Sequence, residues 1–365
     1  MNTQVSNTIV ALRTVLNILI VFLHMRITAT TYQDLMIADY PVYYAIVTFC
    51  TLIERLAVPL FFCISGFLYF YSFSPTRYCF WKKTIRRLQH LVQPVFIWVS
   101  IYLLIYLVAQ QLPYISELFS GKNKLIMDYN WKDLIDAYTG IQTEIPFAGQ
   151  YWFLRNLFIL CLFSPLFYFI FKYTKQVGVL IIGIIWLLQP VTQINAPLMN
   201  SIFFFLLGGY IGYARTEFYF SKKQTYTIYS ISVIFLIITF FLSIYGYQVY
   251  EYFYELYILL GIGAVCLFCH WLVGKGYAGI LIRLSAGSYF CFLLHQQILM
   301  FFKRGIYKVL SPHENIALII LYYIIPVINI VVFYVIYYYL RKKHTKLLSL
   351  LIGQNPEQLN IKPAL

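Results

Sequence analysis

The sequence predicts an all-α protein that crosses a membrane about ten times, with both termini in the cytoplasm, and three observations carry that prediction. Hydrophobic residues make up 61% of the chain and charged residues only 11%. The apolar residues gather in runs of about 20, the length one helix needs to cross ~30 Å of hydrocarbon. Lys and Arg are distributed unevenly: alternate connections between the runs hold sixteen of them against seven in the other set, and the basic set marks the cytoplasmic face. The 35 Tyr and 32 Phe suit aromatic belts at the two interfaces. A net charge of +14 would also suit a nucleic-acid partner, but the cations sit in connections where topology demands them, so membrane lipid is the surface they meet and nucleic acid is not. Seven cysteines, an odd number lying mostly in apolar runs, read as packing residues and not as a disulfide framework.

The ten spans fall at about 8–27, 53–73, 90–112, 151–172, 177–192, 200–214, 225–245, 256–273, 284–302 and 316–340. The first carries Arg13, Asn17 and His24. Eleven positions at ~100° return to within about 20° of the start, so Arg13 and His24 share one helix face about 16 Å apart along the axis, with Asn17 near it. A cation, an amide and an imidazole on one stripe of a membrane helix face a cavity or other helices, and Arg13 and His24 are expected to look into one hollow. Residues 28–52 read as an amphipathic helix along the outer surface. Segment 113–150 is the longest loop; it holds Glu117, Asp128, Asp133, Asp136 and Glu144 and a helix over 130–138, and its size suits a lid. Ser65-Gly66 and Gly261 to Gly263 suit close helix packing, and Pro59 a kink. Residues 1–352 form a single integral membrane domain, and 353–365 a flexible cytoplasmic tail.

Several signatures are absent. No His or Cys spacing suggests a metal site, no Gly-rich phosphate loop follows a strand, and Gly-x-Ser-x-Gly does not occur. Cys266-Leu-Phe-Cys269-His270 matches the haem-attachment string but lies in an apolar span, where it reads as packing.

Five stretches, taken in order, resemble the type 3 membrane acyltransferase family. Arg13 followed by ten residues and His24 is similar to its Arg-x10-His signature. Arg55-Leu-Ala-Val-Pro-Leu-Phe-Phe with Ser65-Gly66 resembles its second helix, and Arg86-Arg87 with Pro94 the basic turn into its third. Gln150-Tyr151-Trp152-Phe153-Leu154 resembles the opening of a middle helix, and Ser288-Tyr289 with Leu293-Leu294-His295 the penultimate one. The matches span roughly residues 8–340, with Arg155-Asn156 departing from the apolar continuation the family would lead one to expect.

The resemblance implies an O-acyltransferase of a bacterial inner membrane. It would move an acyl group, acetyl being the expected one, from cytoplasmic acyl-CoA to a hydroxyl of a cell-surface polysaccharide or lipid-linked sugar. His24 would be the general base; read from the residue alone it is equally a core histidine. Arg13, which cannot lose its charge, needs an anion: the oxyanion, the donor's phosphates or a carboxylate such as Glu54. Arg86 and Arg87 stand where acyl-CoA would present its phosphates, though topology and anionic lipid also account for them. Arg55, Trp152, Arg155 and His295 are candidate acceptor contacts. For Arg55 the alternative is a salt bridge or snorkelling to the interface, and for Trp152 and Arg155 an interfacial pair. His295 with Gln296 and Gln297 makes a polar knot facing the bundle. The rival reading is a transporter or flippase of a lipid-linked sugar, whose cavity arginines would serve equally well.

Overall fold

A computed structural model describes residues 1–25, 39–116, 124–189, 196–216, 220–310 and 314–360. Among these residues every regular element is a helix and there is no strand. The helices are α1 Thr3–Leu23, α2 Pro41–Glu54, α3 Ala57–Tyr71, α4 Arg77–Arg87, α5 Gln93–Ala109, the single turn α6 Pro113–Ser116 and α7 Trp131–Thr139. They continue as α8 Tyr151–Leu162, α9 Ser164–Thr174, α10 Gln176–Leu187, α11 Ala196–Ala214, α12 Lys222–Ile244, α13 Tyr250–Gly274, α14 Gly279–Leu310 and α15 Asn315–Lys343. Two short helices, α16 Thr345–Ile352 and α17 Pro356–Asn360, close the chain.

Each of the ten expected spans coincides with helix. Among the described residues, seven segments are long and apolar enough by length and composition to cross a membrane, or up to eight if α8 and α9 form one span across their 59° bend. The runs outside that set have local features. The 151–172 run breaks at Phe163, where Ser164-Pro165 starts a new helix, since proline has no amide to continue the old one. Among its described residues the 177–192 run forms the 12-residue helix α10. The 284–302 run lies inside α14, whose His295-Gln296-Gln297 stretch lowers its hydropathy. Residues 28–38 of the expected surface helix lie outside the described residues. Its remainder, α2, runs on into α3 past a break at Arg55-Leu56 to make one 31-residue apolar stretch, with Tyr43, Val47 and Leu52 buried in the bundle.

The tightest helix contact joins α3 and α11. A Cβ on Gly208 would stand 1.8 Å from the Cys63 carbonyl oxygen, and one on Gly66 would stand 2.0 Å from that of Phe205. Glycine here lets two backbones approach where nothing but van der Waals packing drives association. The expected packing role of Gly261 to Gly263 divides: Gly261 faces Leu56, whereas the atom nearest Gly263 is 4.0 Å away.

Between α4 and α5 the helix widens to a π-turn over Leu88–Val92. Pro94, four residues after His90, offers no amide to the His90 carbonyl. That carbonyl accepts the Tyr289 hydroxyl from α14 instead. The loop helix forms as expected, one residue later, with a capping box of Asn130 and Asp133 and a left-handed C-cap at Gly140. It lies against α5, where Tyr138 stacks on Phe96 at 5.0 Å and meets Ser100 at 2.8 Å. In the tail, Leu359 is buried and its carbonyl accepts from Arg341 Nε at 2.7 Å, so packing extends past residue 352. Residues 361–365 lie outside the described residues.

Candidate functional site

Arg13 and Asn17 of the α1 stripe open into a cavity of about 620 Å³, bounded by α1, α3, α4, the π-turn, α8, α14, α15 and the tail. Arg13 and Asn17 come from α1, Arg87 and His90 from α4 and the π-turn, and Arg341 from α15. Among the described residues no Asp or Glu lines it. The direction follows from the helix registers. Ser285, Leu68, Leu157 and Arg341 mark one end; Phe292, Phe61 and Phe153 mark the other, on the same helices α14, α3 and α8.

Arg13 is exposed inside this cavity and has Arg87 as a neighbouring like charge. Neither is ion-paired with a carboxylate among the described residues. Of the three anions considered for Arg13, the carboxylate Glu54 drops out, because Glu54 is buried and accepts the Tyr322 hydroxyl. Arg86 is exposed and does not line the cavity, so the two arginines expected together at this mouth part company. Two guanidiniums converging without a counter-ion form a site that an anion would occupy.

His24 is not part of the lining. It lies past the aromatic end, at the C-cap of α1, so the cavity and the imidazole lie in sequence along α1 where a single hollow was expected. The link is aromatic: His295 packs 5.6 Å from Phe292, and His24 packs 5.1 Å from His295. His295 is fully buried, with Nδ1 2.7 Å from the Phe292 carbonyl oxygen. A carbonyl only accepts, so Nδ1 carries the hydrogen and the neutral ring has its lone pair on Nε2. Nε2 has no hydrogen-bond partner among the described residues. The Lys303 ammonium donates to the His24 carbonyl at 3.3 Å. Around His295 the helix is gripped at one point: Gln150 Nε2 and the Tyr151 hydroxyl both donate to the Leu293 carbonyl, at 3.1 and 2.7 Å.

The remaining expected residues are placed elsewhere. Arg55 sits over the Tyr254 ring at 5.5 Å, a cation–π contact between α13 and the start of α3. Trp152 packs against Phe62 at 6.2 Å. Arg155 points away from the cavity, and its Nη1 donates to the carbonyls of Thr139, Gly140 and Glu144 at 2.8, 3.0 and 3.1 Å. It therefore pins the segment following α7 to α8. Asp136 closes the same turn, accepting from the Gln142 amide at 2.5 Å and the Thr143 hydroxyl at 2.6 Å. Burial works to raise the Asp136 pKa, but those hydrogen bonds outweigh it and hold the carboxyl below its ordinary value.

A depressed carboxylate pKa stabilises the fold above about pH 4 and loses that contribution as pH falls further. Arg155→Gln is accordingly expected to expose residues 139–145 to protease at neutral pH, while wild type becomes comparably susceptible only in acid. Equal cleavage of the two proteins at pH 7 would show that Arg155 does not hold this turn.

His90 and Arg341 were not singled out by sequence. His90 had a signal in the proline four residues on, whereas Arg341 sits in a basic run that topology already accounts for. Among the described residues no group of three or more His, Cys, Asp or Glu stands together as a metal site. A family model described as an acyltransferase domain matches residues 7–338. No curated protein and no solved structure matches the chain.

Proposed function

The chain belongs to the acyltransferase 3 family, and from that premise we propose that it transfers an acyl group, acetyl first among the candidates, from acyl-CoA to a hydroxyl of a surface polysaccharide or lipid-linked sugar. The observation that carries the proposal is the cavity on α1, whose Arg13 and Arg87 converge with no carboxylate among its described lining residues. The phosphates of acyl-CoA supply the missing negative charge. Eleven residues further along the helix, about 16 Å at 1.5 Å per residue, stands His24. The flexible arm that joins the donor's phosphates to its sulfur has to span such a distance.

In the reaction the acceptor hydroxyl gives its proton to His24 as its oxygen attacks the thioester carbonyl. The tetrahedral intermediate collapses with release of the thiolate, which takes the proton back from the imidazolium. Apolar walls at Phe61, Phe153 and Phe292 keep water from the thioester. The excess of Lys and Arg on the Arg87 side supports donor entry from the cytoplasmic face of a bacterial inner membrane, with the acceptor approaching His24 from the opposite side. Arg55 and Trp152 contribute to that approach through packing.

The test is acyl transfer from isotope-labelled acetyl-CoA by the purified protein in lipid nanodiscs, followed as release of free CoA. Arg87→Ala is expected to raise the KM for acetyl-CoA about tenfold with kcat largely kept, because a phosphate contact remote from the carbonyl binds ground and transition states alike. Absence of turnover with any acyl-CoA would favour a lipid-linked sugar carrier.

A further inference from the structure

Part of the cavity wall lies beyond the family match. That match ends at residue 338, yet Arg341, Gln354 and Leu359 all line the cavity. The segment that brings them there is strapped down at several points. The Trp98 indole donates to the Leu351 carbonyl at 3.0 Å. The chain then turns at Gly353, whose φ is +63°. A Cβ on Gly353 would come within 2.0 Å of the Gln89 carbonyl oxygen and 3.0 Å of Pro94 Cγ, so the turn is seated on the π-turn that carries His90. The Ser349 hydroxyl donates to the Gln354 carbonyl, and Arg341 Nε to that of Leu359 at 2.7 Å.

The position of this wall decides what it can meet. Arg341 and Ser285 mark the end of the cavity opposite Phe292, and Phe292 leads to His295 and His24. A donor with its thioester directed towards His24 therefore presents its far end, the nucleotide, to Arg341 and the tail. The nucleotide of acyl-CoA carries a ribose phosphomonoester in addition to its diphosphate. Arg13 and Arg87 line the same cavity and suit the diphosphate.

We propose that Arg341, held by the Gly353–Leu359 segment, is the specificity-determining residue for the donor's terminal nucleotide phosphate. It would make this chain prefer CoA thioesters over analogues lacking that group. The inference rests on the acyl-CoA reading above. An arginine fork engaging a phosphate dianion contributes through charge-assisted hydrogen bonds, and losing them corresponds to about a tenfold change in affinity.

Calorimetric titration of the full-length protein in nanodiscs with CoA and with dephospho-CoA tests this. Wild type is expected to bind CoA about tenfold more tightly. Arg341→Gln and Gly353→Ala, the second unseating the tail without touching a charge, should each bring the two affinities together by weakening CoA alone, and Arg341→Lys should recover part of the preference. Equal affinity of wild type for both nucleotides overturns the inference without any variant, as does an Arg341→Gln protein that keeps the wild-type ratio or weakens both ligands equally. Wild type binding neither nucleotide would overturn the acyl-CoA reading itself, and this inference with it.

Discussion

Alanine in place of His24 is expected to lower acyl transfer by about 10²–10⁴-fold, the range a positioned general base contributes. The reason is position. Cationic residues gather at one end of the cavity and aromatic ones at the other, and the route out through Phe292 passes two imidazoles, His295 and then His24. His295 is fully buried, with Nδ1 committed to a backbone carbonyl, whereas His24 is half-buried at a helix end, where an incoming hydroxyl can reach it. The measurement is the acetyl-CoA assay normalised to protein abundance, with CoA affinity determined in parallel. Loss of turnover with unchanged CoA affinity is the expected pattern, since His24 stands clear of the phosphate end. A His24→Ala protein that turns over at the wild-type rate would remove the base from the mechanism, and a loss of CoA affinity alone would make His24 part of the donor site.

The second large effect is on stability. Gly208→Ala is expected to lower the thermal midpoint sharply, with a cost of about 1–3 kcal/mol or more, because the new methyl would lie 1.8 Å from the Cys63 carbonyl oxygen. Backbone cannot rotate out of the way as a side chain would, so α3 and α11 must separate along their whole contact. That separation also shifts Phe61, Ile64 and Leu68, which line the cavity from α3. Gly263→Ala is the matched control. Its nearest neighbour is a methyl of Ile228 at 4.0 Å, and alanine is the better helix former by about 1 kcal/mol. Fluorescence-detected thermal unfolding in detergent should therefore show opposite or unequal shifts for the two changes; matching midpoints would mean that the α3–α11 contact is looser than its geometry implies.

Much of the architecture is written in local pattern. Hydropathy locates every helix that reaches membrane length, and the capping residues Asn130 and Asp133 mark the loop helix to within one residue. Short features interrupt some of the long apolar runs. Ser164-Pro165 bends one run, and the polar knot at His295 lies in the middle of another. Among the candidate residues, Arg13 and Arg87 both line the cavity, a meeting that their separation in the chain did not announce. Arg155 is conspicuous for the right reason, a cation where an apolar residue would be cheaper. Its partners are the carbonyls of Thr139, Gly140 and Glu144, contributed by a turn whose path no sequence rule describes.

The sequence by itself determined that this is a helical membrane protein with an Arg–Asn–His stripe on its first helix, because hydrophobic runs and a 3.6-residue period are properties of the chain alone. Only the tertiary structure decided that Arg13 faces a cavity while His24 stands beyond it against His295, and that the wall is completed by Arg341 and the tail. The physical reason is that a lone membrane cation must find compensation somewhere, but which distant element supplies it depends on helix packing. Close approach at glycines and a proline-widened turn set that packing through contacts between residues far apart in the chain.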